Sequence, residues 1–195
     1  MSQETKLAAL VVTVLFIGGC ASVPPPNCVA LDHGGQVCLL PPAQLPPLDG
    51  AHMVTLDQDG KRRMFIGLLH IDAHVIRLAG SSLFGPTLFT ISYDGQALHS
   101  EPGGIARRAG LLIAMLELVT ADRQDLRAAL RGLTLTQTTA VDGGRMRRLF
   151  EHKRQVAQII IGAGSLTQAT IRFDIPSAHL SVLMVPLASR VPSPP

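Results

Sequence analysis

The chain of 195 residues has no tryptophan, one tyrosine and six phenylalanines, so any core or pocket it builds is lined mainly by aliphatic side chains. Charge is also scarce: 16% of residues are charged against 47% apolar, and the net charge is +3 with histidine neutral. That is far from the dense basic stripe of a nucleic-acid-binding surface, so no nucleic-acid partner is expected. The apolar fraction excludes a disordered chain, and the lack of any run of eighteen or more apolar residues excludes a polytopic helical membrane protein. A phosphate loop, a dinucleotide fingerprint, a Gly-x-Ser-x-Gly elbow and a His-Glu-x-x-His motif are all missing. With no nucleophile and base at recognisable spacing, the expectation is a non-enzymatic protein without a cofactor.

What is present starts at the N-terminus. Met1 to Lys6 is short and ends in a cation, Leu7 to Ile17 is apolar except for Thr13, and Ile17-Gly18-Gly19-Cys20 follows. This is the layout of a bacterial export signal, too short to span a bilayer. Its end resembles the lipobox of bacterial lipoproteins, which implies removal of residues 1–19 and lipidation of Cys20. Ala21, in place of the aspartate that commonly retains such proteins in the inner membrane, implies an outer-membrane anchor facing the periplasm. Each buried acyl CH₂ contributes about 0.8 kcal/mol, so two or three chains hold a protein on a bilayer essentially permanently.

Seven of the fourteen prolines lie between Cys20 and Leu48, and no lysine or arginine occurs from Leu7 to Gly60. Residues 20–49 therefore read as an extended, proline-rich tether. Cys28 and Cys38 stand ten positions apart in a chain bound for an oxidising compartment, which favours a disulfide. Free thiols or metal ligation are the alternatives, with only His33 nearby to complete a metal site.

From Gly50 to residue 188 the pattern is that of one domain, followed by a loose tail, 189–195. Alternation and turn residues predict strands over Ala51–Leu56, Arg63–Ile71, His74–Leu78, Thr87–Tyr93 and Ala97–His99, with Asp59-Gly60 and Asp94-Gly95 as turns. Ile105–Val119 then reads as a helix apolar nearly all round, which must be covered on most sides. A second helix begins at Thr120 or Asp122 and ends before Gly132. Five more strands follow: Leu133–Thr138, Arg145–Glu151, Val156–Ile161, Gln168–Asp174 and His179–Leu187. Strands and helices in separate groups argue for an α+β domain, a curved antiparallel sheet with two helices on one face.

Three groups could carry function. His70, Asp72 and His74 would share a face of an unbroken strand as metal ligands do, but Asp72-Ala73 reads better as a turn, and no metal site is expected. Arg145, Arg147, Arg148, Lys153 and Arg154 read either as a solvated sheet face or as a contact for anionic headgroups or an acidic envelope partner. The segments 64–69, 111–119 and 180–187 are apolar on both faces, so something apolar must meet the second face. That is a packed core or a cavity for a long apolar ligand, and the candidate lining is Met64, Ile66, Leu68, Leu112, Met115, Leu116 and Leu183.

The segment from Ser82-Leu83-Phe84-Gly85-Pro86 through Thr87–Gly95, the apolar helix and the amphipathic Leu126-Arg127-Ala128-Ala129-Leu130 together resemble an uncharacterised family of bacterial outer-membrane lipoproteins. That family is similar to the lipoprotein carriers LolA and LolB. The resemblance implies a half-open antiparallel barrel with helices as a lid and a concave apolar surface that binds a lipid, an acyl chain or a lipoprotein for placement in the membrane. This sequence departs from the carriers in lacking tryptophan and an obvious first helix. A structural envelope lipoprotein with a filled core is the alternative.

Overall fold

The computed structural model describes residues 27–31, 34–101 and 108–187. The export signal, Cys20, His33, the predicted start of the first helix and the tail 189–195 lie outside the described residues.

The domain is α+β. Its principal sheet is a long antiparallel meander interrupted by helices. Strands β3 (Leu48–Gln58), β4 (Lys61–Ile71), β5 (Ile76–Ser81), β6 (Thr87–Tyr93) and β7 (Leu98–Ser100) precede helices α1 (Ala109–Thr120) and α2 (Arg123–Ala129). Strands β9 (Thr134–Thr139), β10 (Arg145–Glu151), β11 (Arg154–Ile161), β12 (Ile171–Ile175) and β13 (Leu180–Pro186) follow. The last strand returns to pair with β3, from Leu180 opposite Gln58 to Pro186 opposite His52. The two meanders thereby fuse into one ten-stranded sheet, with β7 and β9 as its separate edges. It is a curved sheet that does not close, a half-open barrel.

Local chemistry accounts for the elements. In β4 the residues Phe65, Gly67, Leu69 and Ile71 are buried while those between them are not, the period-two alternation of a sheet with one covered face. Asp59 and Gly60 both have positive φ, 52° and 74°, which makes the tight turn between β3 and β4. Asp122 caps α2 by accepting the Arg123 N–H at 2.7 Å. Nine of the twelve residues of α1 are buried, so the helix is enclosed rather than laid on a surface.

Residues 27–49 do not form the tether expected of them. Strands β1 (Cys28–Ala30) and β2 (Gln36–Cys38), joined by the Cys28–Cys38 disulfide, pair with each other, and β2 pairs with β8 (Leu130–Arg131). Leu31, Val37, Leu40 and Leu45 are buried in the common core. The physical reason lies in α1. A helix apolar on all sides needs a second layer, and this segment supplies it, touching α1 through β1 and through Leu40. Prolines 41, 42, 46 and 47 fit because they occupy turns and the entry to β3, where no ladder N–H is required.

Candidate functional site

The concave face and α1 enclose an apolar cavity of about 70 Å³, bounded by Val54, Phe65, Leu69, Phe89, Leu112, Met115, Leu116, Phe173 and Val182 among others. Phe65 and Phe89 meet edge to face with ring centroids 5.6 Å apart. The second ring fits because its neighbour across β5 and β6 is Gly80, where a Cβ would collide with it. A larger rim pocket of about 290 Å³ adjoins the cavity, and Phe65, Leu112, Met115 and Val182 line both. At that rim stand Arg63, Arg108 and Leu88, and Leu88 is close in sequence to the fully projecting ring of Phe84, 95% exposed. The site is thus an apolar slot with cations at its mouth. At 70 Å³ the inner part falls well below the 300 Å³ or so of a typical small-molecule pocket. A long ligand needs α1 to shift outward.

Two ionisable side chains sit in this greasy interior, beside the hydroxyl of Thr120. His52 on β3 lines the cavity at 1% exposure, and neither ring nitrogen has a hydrogen-bond partner among the described residues. Burial lowers its pKa, so the ring is neutral; the Leu166 carbonyl opposes that shift from nearby, outside hydrogen-bonding geometry. Glu117 on α1 is completely buried and accepts the Leu40 N–H at 3.1 Å on each carboxyl oxygen. Burial pushes its pKa up from the ordinary 4.5 to about 8, against the Leu40 hydrogen bond.

Glu117 therefore holds a proton in the folded chain that the unfolded chain has released. Stability is greatest below pH 4.5 and falls as pH rises toward 8. Glu117→Gln, which keeps the acceptor for Leu40, is expected to raise the unfolding free energy at pH 7 by about 2 to 3 kcal/mol. Urea titrations at several pH values check this. The variant should lose most of the dependence between pH 4.5 and 8, and an unchanged dependence would refute the assignment.

The expected lining divides by strand parity. Leu112, Met115 and Leu116 line the cavity. Met64, Ile66, Leu68 and Leu183 belong to the opposite, convex face, with Met64, Leu68 and Leu183 at 50%, 46% and 38% exposure, although Met64 also touches the rim pocket. In runs that are apolar at every position, the inward set cannot be told from the outward one, and a shift of one residue exchanges them. Much of the apolar surplus is therefore an uncovered stripe on the convex face. It continues through Val185, 42% exposed and opposite half-buried Met53.

The basic group is not a single surface. Arg147 is buried, donating to the carbonyls of Leu118 at 2.7 Å and Ala121 at 2.9 Å and to Gln137 Oε1 at 2.9 Å, so it cannot meet a headgroup or a partner. Arg145 lines a polar cleft with Asp122, Asp125 and Gln137. Arg148 approaches Gln158 on the other face, and Lys153 and Arg154 lie at the far turn, where Arg154 pairs with Glu151 at 2.8 Å. Near the start of β3, His70 bridges Asp49 at 2.6 Å and Asp72 at 3.1 Å. The Asp49 hydrogen bond, then that of Asp72, raises the pKa of its partly exposed imidazole. Asp72 makes the turn by accepting the N–H groups of His74 and Val75.

His52 and Glu117 are the residues that sequence reasoning passed over. Each is the one ionisable side chain within its apolar stretch, which is the signal that could have found them. No curated protein is similar enough to this chain to be matched with it. Residues 50–187, most of the chain and all of the principal sheet apart from the first two residues of β3, match the family described as "Protein of unknown function (DUF3261)", and the chain belongs to that family.

Proposed function

We propose that this protein is a non-enzymatic, lipid-anchored carrier of the LolA and LolB kind, which takes an acyl chain or lipid between α1 and the concave sheet and helps place it in the outer membrane. The observation that carries the reading is the apolar cavity adjoined by a mainly apolar rim pocket, both lined by α1. Burial of ligand CH₂ groups drives uptake at about 0.8 kcal/mol each. Outward movement of α1 supplies the missing volume. Cys20 anchors the chain, and the exposed Leu83-Phe84 tip, in the loop that leads to the rim residue Leu88, brings an apolar wedge to the bilayer.

The lack of tryptophan provides the test. In a full chain carrying Cys20→Ser, so that its own acyl groups do not intrude, Leu88→Trp places a sole indole at the rim. Titration with palmitate is expected to shift its emission to the blue and saturate at one equivalent. A response that never saturates, with no lipid retained in native mass spectrometry, would sink the reading. The alternative, an assembly lipoprotein with a filled core, is favoured by the uncovered convex stripe of Met64, Leu68, Leu183 and Val185, a surface suited to a protein partner.

A further inference from the structure

His52 stands out because its surroundings give it nothing to do. Buried polar groups in native proteins are hydrogen-bonded in the large majority of cases, and one left unpaired costs about 1 to 3 kcal/mol. Both ring nitrogens of His52 are unpaired among the described residues, the ring is 1% exposed, and it borders the cavity. The ring lies against glycine backbone on its own strand. Its register partner on β4 is Gly67, whose missing side chain makes room for Val54: a Cβ there would come within 2.8 Å of Val54 Cγ2. The residue two before it, on the same face of β3, is Gly50, where a Cβ would lie 3.2 Å from His52 Cε1. An imidazole laid over Gly50, facing a largely apolar slot with neither nitrogen hydrogen-bonded among the described residues, is an arrangement for receiving a polar group from outside the chain.

We infer that His52 is the recognition residue for an uncharged hydrogen-bonding group, a hydroxyl or carbonyl, carried on an apolar chain that enters between α1 and the sheet. The inference rests on the lipid-binding reading and names the class of ligand within it. An uncharged group is required because dehydrating a carboxylate or phosphate in this interior would be prohibitive without a cation beside it. The rim cations stand at the other end. Arg63 lies opposite Leu56, four residues along β3 from His52, or about 13 Å.

The experiment uses octanol and octane, equal in chain length and differing in one hydroxyl, added to the full Cys20→Ser chain and to the same chain with His52→Leu or His52→Gln. The wild-type interior is expected to hold octanol about tenfold more tightly than octane, the worth of one buried hydrogen bond. The imidazole ¹⁵N signal of His52 should move with octanol and stay still with octane. His52→Leu, which replaces an unpaired polar ring by an aliphatic side chain, should fold at least as stably, bind octane as before and lose the preference; His52→Gln should keep part of it. Equal binding of the two probes by the wild type, a preference that survives in His52→Leu, or an imidazole signal unmoved by octanol would each overturn the role of His52 while leaving a lipid-binding slot. If neither probe binds, the inference and the carrier reading fall together.

Discussion

A chain that begins at Gly50, where the family match begins, is expected not to fold cooperatively. Such a chain lacks Leu31, Val37, Leu40 and Leu45, all buried. Each fully buried aliphatic side chain contributes about 1.5 to 3 kcal/mol. Four together are worth roughly 6 to 12 kcal/mol, on the scale of the 5 to 15 kcal/mol that holds a typical domain folded. The loss is greater than that sum suggests. Without Leu40, the buried Glu117 loses its N–H donor, and without β2, the short β8 loses its ladder partner. Circular dichroism melts of the two chains decide the matter: a sharp transition for the full chain and a broad or absent one for the truncated chain. A truncated chain melting as sharply, within a few degrees of the full one, would show that residues 27–49 are dispensable.

That segment also shows where the sequence is legible and where it is not. Alternation and turn residues locate β6 to the residue, and the apolar period change locates α1. Composition misleads at 27–49, because the four prolines there, with three more just before them, suggest extended chain while the widely spaced Leu31, Val37, Leu40 and Leu45 show no strand or helix period. The demand for cover was nevertheless present in α1, whose residues are apolar in every direction. Strand parity in β4 and β13 was beyond reach for the opposite reason, since both faces carry apolar side chains and only α1's position selects one. The site inherits both difficulties. Its helix wall was legible, and its sheet wall was assigned to the wrong face.

The two buried polar residues reveal a further limit. Patterning identifies faces, whereas the fate of a lone His52 or Glu117 depends on what reaches it from elsewhere in the chain. Glu117 is met by the backbone of Leu40, seventy-seven residues away; His52 has the Leu166 carbonyl nearby but no hydrogen bond in the described chain. No local rule distinguishes these outcomes. They are also what separates a plain packed core from one arranged for a ligand.

Arg147 is the third ionisable residue buried among the described residues, and Arg147→Met is expected to lower the unfolding free energy by about 3 to 5 kcal/mol, the cost of breaking a buried charged hydrogen-bond set. In a basic run the natural reading is a solvated face, but Leu149, two residues on along β10, shares its face and is fully buried. The guanidinium turned inward meets the C-terminal end of α1, whose last carbonyls have no intrahelical donors. It satisfies those of Leu118 and Ala121 and brings positive charge to the negative end of the helix dipole. Burial depresses its pKa to about 10, and it stays charged at neutral pH. Arg148→Met, at the neighbouring half-buried position, is the control and should cost less than about 1 kcal/mol. For a chain of this size the Arg147 variant should melt roughly 6 to 20 °C lower. Because the same cation pins the helix that closes the slot, Arg147→Met should also take up palmitate faster, as read by the Leu88→Trp emission. Equal stability in the two variants would mean that the α1 terminus does not depend on this residue.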